Sequence, residues 1–206
     1  MSEITSIPRV LPEGAFALPA GWQLLPPRGT DASEWVETYL DELPVQPSAL
    51  VRAQLRYGLM TVIELAHRMP GEARHNFALV GEPLEGLIHA VLSVQKQRVT
   101  AEAYDNLLFR MQNPPSVEGV EAINRTVEQF RLAAGRAIVM HDFILPVGMQ
   151  PIPEPATERT TLSLFIDDSE TMLDFAMYAQ DLAAFEDMAA YLVEIAGAIK
   201  PAGVAS

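Results

Sequence analysis

A chain of 206 residues, 49% hydrophobic and 20% charged, has the size and composition of one globular domain, which excludes disorder as its main theme. With no cysteine it has no disulfide framework, thiolate zinc site, iron–sulfur cluster or cysteine nucleophile. A net charge of −13 repels phosphate backbones, so neither nucleic acid nor an anionic membrane surface is an expected partner.

Residues 1–13 read as a disordered tail with no basic and apolar leader pattern, and the chain is expected to be cytoplasmic. No stretch approaches the roughly 18 uncharged apolar residues of a membrane helix. Phe16-Ala17-Leu18 and Trp22-Gln23-Leu24-Leu25 then read as a short strand pair about Pro19-Ala20-Gly21. Asp31 stands three residues before Glu34, the capping-box spacing, and Trp35, Val36, Tyr39, Leu40 and Leu43 follow at helical intervals up to Pro44. A second helix is predicted from Ser48 to His67, although Tyr57–Leu65 is apolar enough to suit a buried strand.

Asn76–Val80 and Leu87–Val94 read as paired strands around Gly81-Glu82-Pro83. A helix is predicted from Thr100, as its cap, to Met111, with Tyr104, Leu107, Leu108 and Met111 inward. Thr126–Leu132 and Arg136–Ile144 form a hairpin closed by Ala133-Ala134-Gly135. Residues 146–156, with four prolines, read as an extended crossover loop. Thr160–Ile166 is a strand. Thr171–Ala179 fits either a strand, through Leu173, Phe175 and Met177, or the start of a long helix. A thirty-residue helix is well above the usual length, so the strand is preferred, with a helix from Leu182 to Ile199 capped by Asp181. The expected fold is therefore one α+β domain: an antiparallel sheet of about six strands packed against helices, the C-terminal helix on the sheet.

Chemistry is sparse. Glu64-Leu65-Ala66-His67 and Glu72-Ala73-Arg74-His75 have the spacing of a di-iron pair, but they are eight residues apart and the second falls in a predicted loop. His141-Asp142 matches the adjacent pair of metal phosphohydrolases, yet neighbours in a strand point to opposite faces and cannot grip one ion. No nucleophile elbow, phosphate loop or dinucleotide fingerprint occurs. The expectation is no catalytic residue, no cofactor and no metal.

Charge supplies the one candidate surface. Between Glu154 and Lys200 ten acidic residues face only Arg159 and Lys200, a net of −8. If Asp167-Asp168-Ser169-Glu170 is the turn between two strands, Asp167, Asp168 and Glu170 crowd one exposed tip, which reads either as a solubilising face in water or as a landing surface for a basic partner protein. Twelve arginines to two lysines, with many alanines, point to a high-GC bacterial source.

The opening Phe16-Ala17-Leu18-Pro19-Ala20-Gly21-Trp22 resembles the Phe-x-x-Pro-x-Gly-Trp start of PsbP-like domains, and the element order is similar. That resemblance implies a non-enzymatic assembly or accessory factor and carries over no site residue. Three functions remain open: a protein-binding or assembly factor, possible also as a homo-oligomer; a ligand-binding or enzymatic domain with dispersed residues; or an acidic inhibitor or immunity-type protein for a basic partner.

Overall fold

The computed structural model describes residues 8–11, 14–68, 74–81, 84–115, 119–146 and 156–199. Its element order is β1 (Pro8–Leu11), β2 (Gly14–Ala17), β3 (Trp22–Leu24), α1 (Ala32–Asp41), α2 (Ala49–Arg68), β4 (Arg74–Val80), β5 (Ile88–Arg98), α3 (Ala103–Gln112), β6 (Val120–Leu132), β7 (Gly135–Pro146), β8 (Thr157–Ile166), β9 (Thr171–Ala179) and α4 (Met188–Gly197). The expected α+β architecture is present, with seven strands in the main sheet rather than six.

That sheet runs β3-β4-β5-β9-β8-β7-β6, every pair antiparallel. The chain builds β3 to β5 and crosses through α3 to the far edge. It then meanders back until β9 closes against β5. Its two faces have different fates. Phe77, Leu92 and Met177 lie opposite one another across three strands, as do Val94, Phe175, Leu162 and Val139. They form one core with Met188, Leu192, Ile195 and Ala196 of α4. On the other face, Ala78 and Val80 meet Val36 and Leu40 of α1 and Leu55, Leu59 and Ile63 of α2. Truncating a fully buried member such as Phe175 or Leu192 to alanine costs about 2–5 kcal/mol.

Local chemistry sets the helix ends. Asp31 accepts from Ser33 N and Glu34 N at 2.9 and 3.1 Å and caps α1 as its spacing predicts. Gln46 Nε2 donates back to the Leu40, Asp41 and Leu43 carbonyls, closing the C-terminus. Arg52 and Arg56 of α2 bind Glu37, and Arg52 also binds Asp41, which clasps the two helices together.

Several boundaries differ from the sequence reading. Pro8–Leu11, expected in a disordered tail, pairs with Gly14–Ala17 as a separate ribbon, so Trp22–Leu24 is free to join β4 instead; residues 1–7 and 12–13 lie outside the described residues. Thr100 is not the cap of α3, because a turn precedes the helix and Glu102 takes the cap position without a side-chain bond. α4 starts at Met188, not Leu182. Asp181 is engaged by His89 and Ala183, whereas Asp187, extended at φ −149, accepts from Ala190 N at 2.8 Å. Of the proline-rich stretch 146–156, Pro146 ends β7, Ala156 precedes β8, and 147–155 lie outside the described residues.

Candidate functional site

The acidic tip is where the sequence places it, in the turn between β8 and β9, but its charges are not free. Arg131 of β6 holds Asp167 at 3.1 and 2.5 Å, and Arg98 of β5 holds Glu170 at 2.7 and 2.5 Å. Only the Asp168 carboxylate lacks a described partner, on a residue with φ +55. The crowding expected of three carboxylates is thus relieved by cations from two neighbouring strands. These pairs are exposed, and each contributes about 1 kcal/mol at most. Between the turn and α3 lies a cleft of about 310 Å³, where the Arg136 guanidinium stacks 4.1 Å from the Tyr104 ring centre.

His141 and Asp142 are split by the strand as alternation requires. His141 turns to the α4 face, its Nδ1 2.9 Å from Thr160 Oγ1 and its Nε2 3.6 Å from Glu158. Glu158 is buried, and that burial pushes its carboxyl up; His141 opposes the shift and the Asp187 charge adds to it. Asp142 turns to the opposite face and is fully buried between two arginines. Arg159 donates from Nε and Nη2 at 2.9 and 2.7 Å, and Arg125 from Nε and Nη2 at 2.9 and 2.6 Å. Burial alone would raise the Asp142 carboxyl, but the Arg159 and Arg125 bonds outweigh it and hold the group low.

Asp142 is one end of a polar tract on that face, between the ground covered by α2 and that covered by α3. Across the strands run Gln95, Asp174 and Ser163 in one row, Asn76, Ser93, Ala176 and Thr161 in the next, and Val91, Tyr178, Arg159 and Asp142 in the third. Arg74 donates to Ser93 Oγ at 3.2 Å and Gln95 Oε1 at 2.6 Å; Ser163 donates to Asp174 at 2.7 Å. Burial raises both the Asp174 carboxyl and the Tyr178 phenol, and Tyr178 lies within the fields of Arg159, Arg74, Asp174 and Asp142. Asn76 Oδ1 and Thr161 Oγ1 are enclosed and have no hydrogen-bond partner among the described residues. Sequence reading missed this tract because its members are scattered from residue 74 to residue 178. The available signal is polar residues at same-face spacing, two apart in Ser93 and Gln95 and in Arg159, Thr161 and Ser163, and four apart in Asp174 and Tyr178.

A second cleft, of about 640 Å³, opens beside the β3 edge between Gly21, Gln23, Tyr39, Glu42, Gly81 and His89. His89 Nδ1 lies 2.7 Å from Asp181, and its ring packs so close to Gly81 that a Cβ there would fall 2.1 Å from Nε2. The Asp181 carboxyl is lowered, first by His89 and then by the Ala183 amide. Of the spaced Glu–His pairs, His67 Nε2 contacts the Pro26 carbonyl at 3.1 Å, His75 is exposed on β4, and Glu72 lies outside the described residues. Among the described residues no three His, Asp or Glu side chains cluster as metal ligands, and no helix is long and apolar enough to cross a membrane.

One apolar surface is left uncovered by the described residues. Leu50, Tyr57 and Leu65 are 71, 77 and 55% exposed along one stripe of α2, with Thr61 between them. The 84–87 loop runs against the same helix, since a Cβ on Gly86 would meet Gln54 at 3.1 Å and Val51 at 3.2 Å. That loop adds the exposed Leu84 and Leu87. No family model and no curated protein matches this chain.

Proposed function

We propose that the protein is a non-enzymatic binding factor that docks another protein on the α2 face. The observation that carries this is the stripe of Leu50, Tyr57 and Leu65 flanked by Leu84 and Leu87. Exposed large apolar residues are common singly, but their concentration on one helix and its adjoining loop marks an interaction surface. Charge argues for the occupant. Two copies of a −13 chain repel one another, whereas a partner with a basic rim is attracted to the chain as a whole. The partner is therefore a different protein presenting an apolar centre and basic surroundings. The likeness of the Phe16–Trp22 opening to PsbP-like domains, with their accessory roles, points in the same direction.

The test is recovery of interacting proteins from native cells by the unmodified chain and by the triple variant Leu50→Ser, Tyr57→Ser, Leu65→Ser. A basic protein retained by the first and lost at least ten-fold by the second, with unchanged thermal unfolding, supports the reading. Equal retention by both chains overturns it. So does a concentration-dependent dimer of the unmodified chain that the triple variant abolishes, because the occupant is then a second copy.

A further inference from the structure

The Arg125–Asp142–Arg159 group is unbalanced. One carboxylate is shared by two guanidiniums, leaving one surplus positive charge in a chain of net −13. Both arginines are largely withdrawn from water, with side chains 17 and 23% exposed. Each spends its Nε and Nη2 on Asp142, and no described group accepts from Nη1 of either. Ordinary surface arginines satisfy such donors with bulk water. Neither Nη1 is among the enclosed atoms that lack a partner, so both are open to a solute, and a charge-assisted bond is about twice as strong as one between neutral groups.

The neighbours complete a binding surface. Tyr178 sits directly across from Arg159 on β9, and its hydroxyl has no described hydrogen-bond partner. Two guanidinium edges and a phenol make a donor-rich patch; of the two carboxylates near the phenol, Asp142 is already taken by the arginines and Asp174 accepts from Ser163.

We propose that this patch binds an oxyanion, a carboxylate or phosphate group, between the guanidiniums of Arg125 and Arg159 and the hydroxyl of Tyr178. The planar arginine edges suit the two oxygens of such a group, while the phenol supplies a third contact. The chain's overall charge opposes an anion at long range. That field is screened over about 8 Å at physiological salt, inside which the two arginines dominate. The site is separate from the α2 stripe and does not depend on protein docking there.

The experiment titrates the whole chain with inorganic phosphate, with propionate and with sodium chloride at matched ionic strength. Arginine Nε–Hε and backbone resonances are followed by NMR. Expected are saturable shifts confined to Arg125, Arg159 and Tyr178 with phosphate or propionate and absent with chloride; the ion that binds more tightly names the natural group. Arg159→Lys keeps a charge on Asp142 but loses the planar edge and should weaken binding about ten-fold. Tyr178→Phe, which preserves packing, should weaken it several-fold. Shifts that never saturate, that scatter over the surface, or that persist unchanged in both variants overturn the site and leave the arginines as Asp142's partners alone.

Discussion

Trp22 and Tyr191 stand 169 residues apart and meet in a 2.8 Å hydrogen bond from the indole Nε1 to the phenol oxygen. The bond fastens β3, the short edge strand of the sheet, to α4 at the far end of the chain. Trp22 is buried, and the Tyr191 ring also packs 5.0 Å from Phe185. Tyr191→Phe leaves an indole N–H with no partner and should cost about 1–2 kcal/mol. The double variant Trp22→Phe, Tyr191→Phe should be less destabilised than the two single changes added together, by about 1 kcal/mol. Urea unfolding of the four proteins measures that coupling. Strict additivity would mean that packing alone joins β3 to α4.

Asp187 and Asp181 make a second contrast. Asp187→Ala removes the bond to Ala190 N and should cost about 1 kcal/mol, because α4 loses its N-terminal cap. Asp181→Ala breaks the His89 contact and a turn bond to Ala183 but leaves α4 capped. Loss of helical signal on heating should therefore begin earlier in the first variant only. The reverse order would place the helix start where the sequence alone suggests it.

That contrast also explains what the sequence could and could not reveal. Thr171–Ala179 was readable as a strand because Leu173, Phe175 and Met177 alternate, and because a single helix there would be too long. Its other face is partly apolar too, with Met172 and Ala176 buried, which is why helix periodicity competed. The start of α4 was placed six residues early because Asp181 has the chemistry of a cap, whereas in the fold it is engaged by the distant His89 and by Ala183, and Asp187 caps the helix. The start of β6 was missed because Val120–Arg125 is mostly exposed and held by its ladder to β7, which leaves no hydrophobic pattern. The polar tract could not be assembled without knowing that β9 lies between β5 and β8, a pairing that no local pattern encodes.

Glycine at 135 is required by contact. The residue begins β7, and a Cβ there would lie 1.8 Å from the Phe165 carbonyl oxygen and 2.8 Å from its carbon. Backbone on both sides leaves no side chain to move aside. Gly135→Ala should therefore destabilise by about 3 kcal/mol. Gly197→Ala, where nothing lies within 4 Å, serves as the control and should be neutral or slightly stabilising within a helix. Equal effects in thermal unfolding would contradict the close approach of β7 and β8 at this turn.

Buried carboxyls set opposing pH dependences. Glu158 and Asp174 are raised by burial, so the folded state binds their protons more tightly than the unfolded chain does. Their contribution is full below the unfolded values, about 4.3 and 3.9, and is lost as pH rises through the folded ones. Asp142 is lowered: its contribution is present above about 3.9 and is lost as pH falls through its folded value. Glu158→Gln should then gain on the unmodified protein between pH 4.5 and pH 8, since it removes a charge that folding must bury. Asp142→Asn should lose on it at pH 8 and less so at low pH. Unfolding midpoints at the two pH values decide, and a Glu158→Gln difference that stays constant would refute the burial effect.

The last prediction concerns the acidic tip and follows from its ion pairs. Asp167, Asp168 and Glu170, taken with Arg131 and Arg98, carry a net charge of −1, not −3. Replacing the three acids with Asn, Asn and Gln leaves both arginines unneutralised and turns the tip to +2. A basic partner docking nearby would meet repulsion in place of attraction. Its association should slow several-fold at low salt, and the difference should vanish at high salt, while dissociation stays nearly constant. Asp168→Asn alone disturbs no pair and should produce a smaller change in the same direction. Stability should shift by about 0.5 kcal/mol or less for each substitution, because the groups are exposed. Stopped-flow association of the partner recovered through the α2 stripe, measured at two salt concentrations, provides the readout. An on-rate indifferent to both the substitutions and salt would remove the tip from the interface and leave its pairs as local clasps between β5, β6 and the β8–β9 turn.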